Sequence, residues 1–223
     1  MTLLLEARDL SFGYTAERML FEHLDLELEE GEAIGIAGVS GCGKSSLCQC
    51  LCGIIPHIKS GERRGGVYLK GQELADLRLC EIAVSVGMVF QEPEQQFFSP
   101  VLEANLAFGP ENICLPRQQI GERISGALEF SRLEQYRLAH PRQLSGGQQQ
   151  LGALSCILTL QPQVLIFDEA ASQLDEDGCQ LLDETIGRLK EQGKALIIVD
   201  HHMKRLHHAD KILYLREGGW ELK

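Results

Sequence analysis

Gly38-Val39-Ser40-Gly41-Cys42-Gly43-Lys44-Ser45 follows the spacing G-x-x-x-x-G-K-[ST], and no other stretch restricts the fold as strongly. The apolar run Ala33-Ile34-Gly35-Ile36-Ala37 before it predicts a buried strand, and Ser45 to Gly53 after it predicts a helix. Between them, glycines let the backbone turn its N–H groups inward around a phosphate with no side chain in the way. The helix start adds partial positive charge at the same point. Lys44 is placed to reach the β- and γ-phosphates of a nucleotide, and the Ser45 hydroxyl to ligate Mg²⁺.

The other strand signals agree with an α/β chain. Val164-Leu165-Ile166-Phe167 and Ala195-Leu196-Ile197-Ile198-Val199 are continuous apolar runs, as strands buried on both faces require. The first delivers Asp168-Glu169 at its end, and the second delivers Asp200-His201-His202. Residues 3–30 predict two extended segments, of which Leu24 to Glu29 alternates strictly. Tyr14 falls at the turn between them, where it can either stack on an adenine ring or cap a hairpin. Pro56 to Gly66 reads as a polar loop, Val67 to Leu69 as a short strand and Val84 to Phe90 as another, ending at Gln91.

The composition then shifts. Glu92 to Pro100 is bracketed by prolines, and Val101 to Ala139 has a helical pattern with breaks expected near Gly109-Pro110 and Leu115-Pro116. Leu144-Ser145-Gly146-Gly147-Gln148-Gln149-Gln150 leads into an apolar helix ending near Pro162. Glu176 to Gln192 predicts an amphipathic helix with Leu181, Leu182, Ile186 and Leu189 inside. A short helix, a strand from Lys211 to Leu215 and a turn around Gly218-Gly219 complete the pattern. The expectation is a single domain over residues 1–223, with a core in 1–91 and 156–223 and an inserted helical part in 92–155.

Composition excludes some functions. A formal charge of −11 argues against broad contact with nucleic-acid backbone, so no nucleic-acid partner is expected. No apolar run approaches the roughly 20 residues of a membrane span, and Glu6, Arg8 and Asp9 interrupt Met1 to Leu5 too early for a secretion signal. The eight cysteines are therefore expected to be reduced. Cys48-x-Cys50-x-Cys52 is read as small buried residues, because Cys50 points away from the other two on a helix. Cys42, beside a helix start, is expected to be a reactive thiolate protected by bound nucleotide. The pairs His201-His202 and His207-His208 are read as exposed histidines rather than a metal site.

The order of these motifs resembles the ATP-binding cassette ATPases over nearly the whole chain. Leu144-Ser145-Gly146-Gly147-Gln148 matches that family's own signature sequence. The resemblance implies a P-loop NTPase core, a RecA-like parallel sheet with an N-terminal antiparallel β part, and an inserted α-helical subdomain. It implies ATP as cofactor, held by Tyr14, Gly38, Ser40, Gly41, Cys42, Gly43, Lys44, Ser45, Ser46 and Gln91. Ser145, Gly146 and Gly147 would contact ATP held by a second subunit, so the active form would be a homodimer or heterodimer. Ser45, Gln91 and Asp168 would hold Mg²⁺; Glu169 would be the catalytic base, with His201, Gln91 and Lys44 completing the catalytic set. Ser172-Gln173-Leu174-Asp175 resembles the loop that crosses the dimer interface. Three positions depart from the family: Leu151 stands where an arginine is common, Ala170 where a proline is, and Asp200 where a threonine-like residue is.

Gln91-Glu92-Pro93-Glu94-Gln95-Gln96-Phe97 and Ala107 to Asn112 look like the versions in energy-coupling factor transporters. That implies an importer ATPase peripheral to the cytoplasmic face of the cell membrane. A transmembrane coupling subunit would dock near Gln91 to Phe97, beside a substrate-binding membrane component for a vitamin or metal ion. Pairing is expected to rest on the cassette itself. The alternative is a non-transport ABC ATPase acting with nucleic acid or another soluble partner.

Overall fold

Asp9 breaks the alternation of the first strand. Its φ of 48° puts a bulge into β1 (Leu3–Thr15), and the register against both neighbouring strands shifts there. Leu4, Leu5 and Ala7 are buried before the bulge and Leu10, Ser11 and Phe12 after it. This is why the sequence alternates only in part. The computed structural model describes residues 2–216 and 219–223.

β1 is central to an antiparallel sheet of four strands, in the order β2-β1-β4-β5, with β2 (Arg18–Glu29), β4 (Glu62–Leu69) and β5 (Gln72–Glu73). The expected polar loop from Pro56 to Gly66 is in its second half a strand. Glu62 to Arg64 pair with Gly13, Phe12 and Ser11, and Gly65 bulges opposite Asp9. Pairing to a long neighbour overrides weak local propensity here.

The second sheet has the order β10-β9-β3-β8-β7-β6. Its strands are β3 (Ala33–Ala37), β6 (Val86–Val89), β7 (Val164–Asp168), β8 (Ala195–Val199), β9 (Lys211–Arg216) and β10 (Gly219–Leu222). β9, β3, β8, β7 and β6 run parallel, and β10 returns antiparallel. β3, β6, β7 and β8 are buried at every position. Of the turn expected at Gly218-Gly219, Gly218 lies outside the described residues.

One apolar cluster lies between the two sheets, around α1 (Lys44–Leu51) and α2 (Ile54–His57), with α3 (Leu79–Ala83) against it. The other covers the opposite face of the parallel sheet, formed with α4 (Leu102–Asn112), α5 (Arg117–Ser131), α6 (Gly146–Leu158) and α7 (Glu176–Glu191). The break expected at Gly109-Pro110 is absent, because α4 runs through it. Pro110 sits in the last turn, where it removes a single helical bond, and its own carbonyl still accepts from Leu115 N–H at 3.1 Å. α3, unforeseen in the sequence, starts where Glu81 accepts from the Arg78 backbone N–H and from its guanidinium, both at 2.9 Å.

Candidate functional site

Four strand ends of the parallel sheet deliver the predicted residues to one edge. Val89, Phe167, Ile198 and Gly35 lie in one register row across β6, β7, β8 and β3. Continuing each strand leads to Gln91, to Asp168-Glu169, to Asp200-His201 and to the loop Gly38–Ser45. This carboxyl edge is where open parallel sheets place their ligands.

Gly41 and Gly43 of the loop have φ of 80° and 105°, conformations that few side-chain-bearing residues tolerate. A Cβ at Gly38 would lie 2.4 Å from the Leu215 carbonyl oxygen, so that glycine is required by close backbone approach. Ser40, Gly41 and Ser45 face solvent, while Ser46 is buried and its Oγ lies 3.1 Å from the Tyr14 hydroxyl. Tyr14 is half exposed, edge-on to Phe12, at the end of the β1–β2 hairpin beside α1. Cys42 corrects the sequence expectation of a reactive thiolate. It is 5% exposed and packs within the apolar cluster, which removes the access that alkylation needs.

Lys44 is buried and donates to the carbonyls of Gly38 and Val39 at 3.0 and 3.2 Å. Its Nζ also lies 3.2 Å from Glu169 Oε1. Ser45 Oγ donates to Asp168 Oδ1 at 3.1 Å. Burial raises the Asp168 carboxyl above the usual aspartate range, against the lowering effect of the Ser45 hydrogen bond. Glu169 has a φ of 48°, a left-handed backbone for a long side chain, and its N–H donates to the Val199 carbonyl at 3.1 Å. The strain and that bond aim its carboxylate at Lys44. A buried carboxylate oxygen beside a hydroxyl is a hard, oxygen-only donor set of the kind Mg²⁺ takes.

Gln91 is exposed and shares a cavity of about 360 Å³ with Glu92, Gly146, Gln150 and the Gln173-Leu174 pair. Two residues missed in the sequence hold this region. Gln150 is fully buried in α6, and its Nε2 donates to the Phe90 carbonyl at 2.9 Å. Asn105 is 3% exposed in α4; its Oδ1 accepts from Phe98 and Ser99 N–H, and its Nδ2 donates to the Ser99 and Val101 carbonyls. Polar residues on otherwise apolar helix faces were the available signal for both. Beyond them, Phe97 to Pro100 and His140 to Arg142 line a groove of about 340 Å³, next to an exposed Phe98–Phe108 ring pair.

Ser145, Gly146 and Gly147 form the start of α6, and among the described residues no hydrogen bond joins them to the phosphate loop. Ser145 caps the helix reciprocally with Gln148, the S-x-x-Q pattern that the sequence already displayed. Gly147 has a packing reason of its own, since a Cβ there would lie 2.8 Å from Gly178 Cα. Asp175 caps α7 by accepting from the N–H of that same Gly178 at 2.9 Å, so the starts of the two helices pack closely.

The three departing positions are all buried. Leu151 and Ala170 join the apolar cluster under α6 and α7. Asp200 is 3% exposed; it accepts from His202 N–H at 2.7 Å and pairs with Arg205 at 3.4 Å. Arg205 also donates to the Ala171 carbonyl at 3.2 Å, tying the segment after β8 to the loop after Glu169. His201 is half exposed, and its ring centroid lies 4.0 Å from that of His202 with the planes tilted by 45°. The cysteine run is structural: burial pushes the Cys48 thiol up, Cys50 to about 12 and Cys52 to about 11.

Comparison with known proteins agrees with this arrangement. Residues 21–172 match the sequence model of the ABC transporter family. An energy-coupling factor transporter ATP-binding protein, EcfA, from Methanosarcina acetivorans is 38% identical over 96% of this chain and 77% of its own. A putative ABC transporter ATP-binding protein from Pyrococcus horikoshii is 37% identical over 96% of this chain and 76% of its own. Some longer relatives are matched over a smaller share, such as one from Methanosarcina mazei of which the chain spans 38%. Among solved structures, CbiO1 of Clostridium perfringens, part of the ABC transporter complex CbiONQ, superposes with a TM-score of 0.87 at 26% identity, over 99% of this chain and 88% of that one. The dimeric cassette MJ0796 shares the fold, with a TM-score of 0.81 at 24% identity. The chain carrying this loop, this acidic pair and this signature belongs to the ABC transporter family, as an ATP-binding cassette subunit.

Proposed function

We propose that this chain binds and hydrolyses ATP to drive an importer of the energy-coupling factor type. The observation that carries the reading is the convergence of Lys44, Ser45, Asp168 and Glu169 on one sheet edge, within 3.2 Å pairwise contacts. The glycine loop would wrap the phosphates, and Tyr14 would stack on the base. Lys44 would exchange its Glu169 partner for the γ-phosphate, which frees Glu169 to orient and deprotonate the attacking water. Ser45 and Asp168, with Gln91, would hold Mg²⁺, whose charge neutralises the phosphates. His201 would face the γ-phosphate from the end of β8. Catalysis of this kind is positioning and electrostatics.

In this reading residues 92–155 form the helical part of the single domain, and Ser145 to Gly147 complete the site of a second cassette. CbiO1 and EcfA, both named for transporter assemblies, support the importer type. The 340 Å³ groove sets Phe97 and Phe98 among the polar Glu94, His140, Arg142 and Gln149, and the exposed Phe98–Phe108 pair beside it would serve as an apolar anchor for a helix of a membrane coupling subunit. The cassette would then lie on the cytoplasmic face of the membrane, with a small substrate-binding membrane protein selecting a micronutrient. Affinity purification of the tagged chain from mild-detergent membrane extract tests this. Recovery of a multi-span membrane protein together with a small membrane protein is expected. Recovery of soluble partners or nucleic acid alone overturns the transport role.

A further inference from the structure

His207 and His208 meet Asp183 of α7. His207 Nε2 lies 3.4 Å and His208 Nε2 3.2 Å from the same oxygen, Asp183 Oδ1. The ligand atoms of all three residues lie within 4.8 Å of one another, and among the described residues no other group of three His, Cys, Asp or Glu side chains is so arranged.

The position of one ring hydrogen is fixed by its surroundings. His207 Nδ1 is 3.0 Å from the Lys204 carbonyl oxygen, which can only accept, so Nδ1 carries the hydrogen. In the neutral ring, Nε2 is then a lone pair directed toward a carboxylate. His208 Nε2 is buried and, among the described residues, has no hydrogen-bond partner despite its approach to Asp183. Gly187, one helical turn along α7 from Asp183, leaves room for that ring: a Cβ there would lie 3.1 Å from His208 Cε1. The three ligand atoms converge on one carboxylate oxygen, a gathering that a bound cation would join.

The spacing fits such a cation. Two ligands about 2.0–2.2 Å from a tetrahedral zinc ion lie roughly 3.3–3.6 Å apart. The observed 3.2 and 3.4 Å match that edge within a small adjustment. The Lys204 carbonyl supplies the outer hydrogen bond that fixes the orientation of a ligating imidazole. We propose that Asp183, His207 and His208 form a binding site for a divalent transition-metal cation of the zinc class, with water completing its coordination. The bound cation would staple α7, which begins at the Asp175 cap, to the segment that follows His201.

The test is calorimetric titration of Zn²⁺ into EDTA-treated full-length chain, with no nucleotide present. One bound ion is expected, with a dissociation constant weakened roughly tenfold or more in Asp183→Asn and in His207→Gln. His207 and Asp183 are both about half exposed, so the variants are expected to fold. Equal affinity in wild type and both variants, or no binding at all, overturns the proposal. Loss of binding in His202→Ala with retention in His207→Gln overturns it equally, by assigning the ion to the other histidine pair. None of these readouts requires ATP turnover, so failure here leaves the ATPase reading standing.

Discussion

Ser45 Oγ donates to Asp168 Oδ1 at 3.1 Å, joining the start of α1 to the end of β7. That one bond sets a hydroxyl and a buried carboxylate side by side, and the carboxylate pays for its position in desolvation. Because the folded-state value of Asp168 is raised, the native chain holds its proton more tightly than the unfolded chain does. Ionisation therefore costs stability as pH rises from the ordinary aspartate range through the raised value. Asp168→Asn removes that cost. In Mg²⁺-free buffer its melting temperature should exceed that of wild type by a margin that grows across this window and then levels off, while ATP turnover falls about 100-fold or more. A variant no more stable than wild type at pH 8 refutes the account.

Glu169 stands 3.2 Å from Lys44 on a strained backbone. Glu169→Gln keeps the shape of the side chain and removes the base. ATP binding should persist within a few-fold, and turnover should drop by about 10²–10⁴. Filter binding and phosphate release on the same preparation separate the two. Turnover at the wild-type rate removes Glu169 from the chemistry.

The signature glycines differ in what surrounds them. A Cβ at Gly147 meets Gly178 Cα at 2.8 Å, whereas a Cβ at Gly146 meets only Leu174 Cδ2 at 3.7 Å. Gly147→Ala should destabilise by about 1–3 kcal/mol through overpacking. Gly146→Ala should leave the melting temperature nearly unchanged and still reduce turnover, if Gly146 approaches ATP held by a second cassette. Full activity in Gly146→Ala sinks that role.

Legibility followed locality. The loop Gly38–Ser45 and the strands β7 and β8 are legible because fixed spacing and unbroken apolar runs are local properties. The strand Glu62–Leu69 is not, because its polar first half is held by pairing with β1 across 50 residues of chain. Pro110 misled because a proline stops a helix only when the lost bond is needed. The acidic pair and Gln91 could be named from their strand ends, but the side chains that brace the chain around Gln91, Gln150 at the Phe90 carbonyl and Asn105 at the Phe98–Val101 turn, carry no motif. Cys42 showed the limit most plainly. Its place in the loop was readable, but the direction of its thiol was decided by packing under β3. Native-state alkylation should therefore label the exposed Cys80 and Cys114 well before Cys42, with or without ATP. Rapid, ATP-sensitive labelling of Cys42 restores the expectation from sequence.

Asn105 satisfies four backbone groups of the Phe98–Val101 turn at once. Asn105→Leu keeps the branched outline and leaves those groups unpartnered, at about 1–3 kcal/mol for each one that stays dry. The turn borders the groove lined by Phe97 and Phe98. The variant should lose its membrane partner in pull-downs while the isolated chain still binds ATP. Retention of the partner at wild-type yield shows that the turn does not shape the docking surface.

Asp200 and Arg205 couple the loops that follow β8 and β7 at the carboxyl edge of the sheet. The Asp200 side chain is 4% exposed and Arg205 33%, so the pair is half sheltered rather than a surface bridge. Removing the arginine leaves a buried carboxylate held by the His202 N–H, with the His201 ring 3.8 Å away, and takes from the Ala171 carbonyl the donor that Arg205 supplies. Arg205→Met should cost about 1–3 kcal/mol, whereas Asp200→Asn, which can still accept from His202, should cost less. The double variant should recover part of the loss, because the unpaired charge is gone and residues in contact are not additive. Since Asp200 anchors the backbone next to His201, both single variants should lower kcat with little change in KM for ATP. A strictly additive double variant, or a loss confined to KM, shows that the pair does not position the histidine and that its role is in folding alone.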